Sequence, residues 1–78
     1  MKKPNMKILE LKNGKDISNG QPLYFPDWGT AVADMEQRFH AHWDAVVLEE
    51  CTYKNGVKSV AMKDMRGKII VKYVKPIQ

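Results

Sequence analysis

The sequence predicts an α+β domain: one amphipathic helix packed on a mostly antiparallel sheet of four to five strands, in the chain order β-(β)-α-β-β-β. Three observations predict it. Apolar residues recur at helical spacing from Trp28 to His42. After that stretch the apolar period changes from helical spacing to alternation. Turn signals then divide the C-terminal half into hairpin-sized segments, Lys54-Asn55-Gly56 and Asp64-Met65-Arg66-Gly67.

Taken in order, residues 1–6 are expected as a flexible tail and 7–76 as the domain. Lys7 to Lys12 reads as a first strand, with Leu9 and Leu11 on one face and Ile8 and Glu10 on the other. Asn13-Gly14 supplies a turn, because both residues tolerate positive φ. A second pair, Asn19-Gly20, follows so closely that Lys15 to Gln21 reads as a loop or a poorly formed return strand. Leu23-Tyr24-Phe25 is a short edge strand flanked by Pro22 and Pro26, neither of which can donate a ladder hydrogen bond. Asp27 is the expected N-cap of the helix. Trp28, Ala31, Val32, Met35, Phe39 and His42 form its apolar stripe, with Asp34, Glu36, Gln37 and His40 on the remaining positions. Ala45 to Tyr53, Val57 to Lys63 and Lys68 to Lys75 then read as a three-stranded meander. In the last strand alternation puts Ile69, Val71 and Tyr73 on one face and Ile70, Lys72 and Val74 on the other.

Seventy-eight residues suffice for one small domain. The apolar share of 44% and the charged share of 28% exclude a disordered or collagen-like chain. The single cysteine, Cys51, excludes a disulfide-stapled scaffold and points to a reducing, cytoplasmic setting. No apolar run reaches the ~20 residues of a membrane span. The basic start lacks the apolar stretch of a secretory signal. Small size, basicity and the want of an address fit a bacterial or phage accessory protein.

Charge is unevenly spread. Five lysines oppose Glu10 in residues 1–15, Arg38 stands alone against seven carboxylates in 16–51, and seven cations oppose Asp64 in 52–78. Lys58, Lys63, Arg66, Lys68, Lys72 and Lys75 are therefore the candidate surface for nucleic acid or an acidic partner. Their other reading is solubility, with lysines blunting an exposed sheet. Only two arginines and few sheet aromatics accompany them, which leaves little for base recognition or stacking. Trp43 and Tyr73 are the candidate interface aromatics, with a place in the core as the other reading of Trp43.

No catalytic constellation stands out. His40-Ala41-His42-Trp43-Asp44 has alternating ligands, but a helix turns its two histidines to nearly opposite sides, and no fourth ligand completes a site. Glu49 and Glu50 are adjacent strand residues and point to opposite faces, so they cannot flank one substrate. Cys51 follows two carboxylates that disfavour its thiolate. No cofactor is expected. The reading is a non-enzymatic interaction module that binds a protein partner or its own copy, with nucleic-acid binding through the C-terminal meander as the alternative.

Overall fold

The computed structural model describes residues 5–14 and 16–77. Within them the order is β1 (Met6–Lys12), a 3-10 turn (Ile17–Asn19), β2 (Gln21–Phe25), α1 (Trp28–Ala41), β3 (Val47–Thr52), β4 (Lys58–Lys63) and β5 (Ile69–Lys75). All five strands form one antiparallel sheet in the order β2-β1-β5-β4-β3. The predicted α+β class is the observed one. The tail expected over 1–6 ends earlier, since Met6 opens β1, and residues 1–4 lie outside those described.

Each element has a local cause. Asn13 and Gly14 both take positive φ, 56° and 70°, as the turn after β1 requires. Asp16 caps the 3-10 turn by accepting from the Ser18 amide. At Gly20 a side chain would meet Leu11 and Leu9 at 3.0 Å, so the chain passes tightly over β1 only because this residue has none. Asp27 caps α1, its Oδ1 accepting from both the amide and the hydroxyl of Thr30 at 2.8 Å. The helix ends at Ala41, and His42 is its extended C-cap.

One face of the sheet carries the helix. Ile8, Val60, Met62, Val71 and Tyr73 meet Ala31 and Met35 there, all buried, with Phe25, Trp28, Phe39 and Leu48 around them. The opposite face is only partly covered. Leu11, Ser59, Ala61 and Val74 are buried on it.

The alternation expected for the last strand breaks at its start. A register shift between Met62 and Lys63 places Lys63 opposite Ile69 while Met62 stays opposite Val71. Ile70 is the extra residue of a β-bulge. It turns against the core, and Ile69 joins Leu11, Lys72 and Val74 on the open face. The sequence assignment of these two isoleucines is therefore exchanged.

Polar contacts tie the helix to one cross-strand row, in which Glu50 faces Val60, Val60 faces Tyr73 and Tyr73 faces Glu10. Trp28 Nε1 donates to Glu50 at 3.2 Å. The Tyr73 hydroxyl donates to Asp34 at 2.6 Å and accepts from Arg38 at 2.7 Å. Arg38 also donates to Glu10. Asp34, expected on the solvated side of the helix, is thus half-buried over the sheet.

Candidate functional site

The end of the molecule beyond the helix C-terminus combines two turns. The first follows from how α1 stops. The amide of His42 bonds back to Phe39, and the amide of Ala45 to His42, so residues 42–45 fold into a tight turn. Trp43 sits within it, directed away from the core, and is 89% exposed. The second is the β4–β5 turn. The Asp64 carboxylate accepts from the amides of Arg66 and Lys68 at 2.9 Å each, which pins residues 64–68. Met65, at the tip, is left 85% exposed.

Trp43 and Val46 from the first turn and its exit and Met65 and Arg66 from the second line an open concavity of about 630 Å³. His42 and Ile70, both half-buried, lie between them. The Nδ1 of His42 is buried without a hydrogen-bond partner among the described residues. Trp, Met and Arg are the side chains that most enrich protein interfaces. Held on short pinned turns, they offer contact area without much ordering cost.

A second hollow, of about 350 Å³, lies on the open face of the sheet between the 3-10 turn and the β3–β4 hairpin. Ile17, Tyr53 and Val57 rim it, and Leu11, Lys72 and Val74 line it.

The six candidate cations do not converge. Lys58 and Lys75 face each other across β4 and β5, and Arg66 and Lys68 lie in the turn at the other end of β5, about 20 Å away along the strand. Lys63 and Lys72 are on the open face. Lys63 is committed to Glu49, at 2.8 Å. That hydrogen bond holds the Glu49 carboxyl below its ordinary range and lifts the Lys63 ammonium above its own. Only Arg66 of the six borders the Trp43 concavity.

Tyr73 needs correction. Expected as an interface or stacking aromatic, it is 1% exposed and lies beneath the helix. Its ring packs against Phe25 with centroids 5.9 Å apart. Burial, reinforced by the bond to Asp34 and opposed by Arg38, pushes its hydroxyl up to about 12. Tyr73 works inside the fold, as the hub of the helix–sheet ties.

His40 is exposed on the last helical turn, while His42 is half-buried, and Cys51 is half-buried on the open face of β3. Among the described residues no group of three potential metal ligands gathers, and no helix is long and apolar enough to cross a membrane. Met65 was missed from sequence, because a turn tetrapeptide carries no sign of how far its second residue projects. Comparison with protein-family models, with curated proteins and with solved structures finds no match to this chain.

Proposed function

We propose that this protein is a small non-enzymatic interaction module that binds a protein partner in the concavity between Trp43 and Met65. One observation carries the reading: two large apolar side chains, from turns far apart in sequence, stand almost fully exposed and line one hollow. Such side chains add little to the stability of the free domain, and they are the anchors that partner surfaces bury. Arg66 on the rim adds a cation that favours a partner with a carboxylate beside its apolar contact. The single free cysteine supports a reducing, cytoplasmic setting.

The test is capture from a lysate of the source cells with the wild-type chain and Trp43→Ala side by side, followed by calorimetry on the protein recovered. The reading expects a partner held by the wild type and lost by the variant, with affinity reduced at least ~30-fold, as for a central interface tryptophan. Equal capture and equal affinity overturn it. The division of the cations between two ends and two faces favours this reading over nucleic-acid binding. In fluorescence anisotropy at about 50 mM salt, random-sequence DNA and RNA are therefore expected to leave the chain unbound.

A further inference from the structure

The two edges of the sheet differ in what they leave free. In an antiparallel strand successive residues turn their N–H and C=O groups to opposite sides. The Tyr53 amide donates to Val57, which continues the β3–β4 register one pair beyond Thr52 and Lys58. Glu49, Cys51 and Tyr53 therefore bond inward, and Leu48, Glu50 and Thr52 direct their backbone groups to the open edge. The same reasoning applies at β2. The Asn13 amide donates to Ile70, so the odd residues of β1 bond to β5 and the even ones to β2. Leu23 and Phe25 then bond inward, and Pro22 and Tyr24 face outward. Pro22 has no N–H, which blunts that edge. The β3 edge carries neither proline nor lysine.

We propose that the free edge of β3 pairs with β3 of a second copy, antiparallel across a two-fold axis centred on Cys51. The register follows by elimination among two-fold pairings, and the complementarity that one of them reaches is what favours a second copy as the occupant. In a two-fold pairing that continues the sheet, the central residue faces its own copy and its neighbours exchange partners. A centre at Glu49 or Glu50 sets like charges directly opposite each other. A centre at Leu48 needs the backbone of Val46 on the open edge, but the Val46 amide is spent on the Lys63 carbonyl at 2.9 Å. A centre at Thr52 pairs only the last residue of the strand with itself.

The centre at Cys51 has none of these faults. Glu50 and Thr52 point outward and face each other, so they exchange both backbone bonds, as do their symmetry mates. Glu50 then has the copy's Lys54 on one diagonal and the copy's Glu50, no longer directly opposite, on the other. On the open face Tyr53, 47% exposed, falls opposite Glu49 and diagonal to Val47, 46% exposed. Two exposed apolar side chains thus cover one another. Cys51 meets its copy as a non-hydrogen-bonded pair, with Cα atoms about 4.5 Å apart, within the span a disulfide can bridge. This surface is separate from the Trp43 concavity, and neither proposal depends on the other.

The test is sedimentation equilibrium of the reduced chain from about 10 μM to about 1 mM, with diamide oxidation of the same samples. The expected result is a mass rising from 9.0 kDa towards twice that value, and a disulfide-linked dimer through Cys51. Thr52→Pro removes an outward N–H, spares the ladder to β4, and is expected to abolish both. Lys54→Glu, in the exposed hairpin, is expected to weaken association about fivefold, and it carries the test if Thr52→Pro does not fold. Trp43→Ala is expected to associate as the wild type does. A mass of 9.0 kDa at every concentration overturns the proposal. So does association unchanged in folded Thr52→Pro or in Lys54→Glu. A Glu50→Cys, Cys51→Ser chain that cross-links faster than the wild type overturns the register.

Discussion

The two sides of the sheet are held in different ways. On the β1–β2 side Arg38 reaches from the helix to Glu10, whose side chain is only 11% exposed, and to the buried hydroxyl of Tyr73. The outer strand there turns Pro22, which has no N–H, to its open edge. On the β3 side the helix is tied by the exposed bond from Trp28 to Glu50, and the outer backbone groups face solvent. A small domain has few ways to protect both edges of an open sheet. Here a proline and a half-buried charge network secure one side. The other is left with unspent hydrogen-bonding groups, next to the turn that exposes Trp43.

Proline substitution is the sharpest way to break this comparison. Cys51→Pro removes an inward bond to Ser59 and is expected to cost about 3 kcal/mol in urea unfolding. Thr52→Pro, one residue on, is expected to cost under about 1 kcal/mol when measured at low protein concentration. Equal losses would mean that the alternation of β3 has been assigned wrongly.

Next in size are the helix ties. Arg38→Met leaves Glu10 with only Lys12, 4.0 Å away at the surface, and leaves Tyr73 short of a donor. The expected loss is about 2–3 kcal/mol. Trp28→Phe removes the exposed bond to Glu50 at under about 1 kcal/mol. A Trp28 loss that matched the Arg38 loss would erase the asymmetry.

Tyr73 supplies a pH test of the tied side. Its folded value, about 12, lies above the ordinary 10.0 that it regains on unfolding. The sign is that of a group held protonated by the fold. Its stabilising contribution is complete below pH 10 and is lost as pH rises towards 12. Absorbance at alkaline pH should show a tyrosine ionising near 12, a step that Tyr73→Phe removes. The smallest expected effect is on stability at the proposed docking surface. Trp43→Ala should change the free energy of unfolding by less than about 0.5 kcal/mol, since the ring is 89% exposed.

Much of this architecture was legible in the residues. Helical spacing from Trp28 to Phe39 marked α1, Asp27 marked its start, and the Asn-Gly signals marked turns. Periodicity sorts residues into faces, but it does not say which face a helix will cover. That is why Tyr73, on an alternating strand, was expected at a surface and lies beneath Asp34 and Arg38. Nor does any glycine or proline announce the bulge at Ile70, which answers to the pairing with Lys63 rather than to local preference. Trp43 was legible as an aromatic just past the helix end. The β3 edge was not, because a strand becomes an edge only through the strand order. One sequence signal does separate the edges: Pro22 interrupts β2, and nothing comparable lies between Val47 and Thr52.

Amide hydrogen exchange by NMR tests the central asymmetry most directly. In dilute protein the amides of Leu48, Glu50 and Thr52 should exchange rapidly, as should that of Tyr24, while Glu49, Cys51 and Tyr53 are protected. Raising the concentration should then protect Glu50 and Thr52 but not Tyr24. Uniform protection along β3 in dilute solution, or protection of the even residues in place of the odd, would contradict the account.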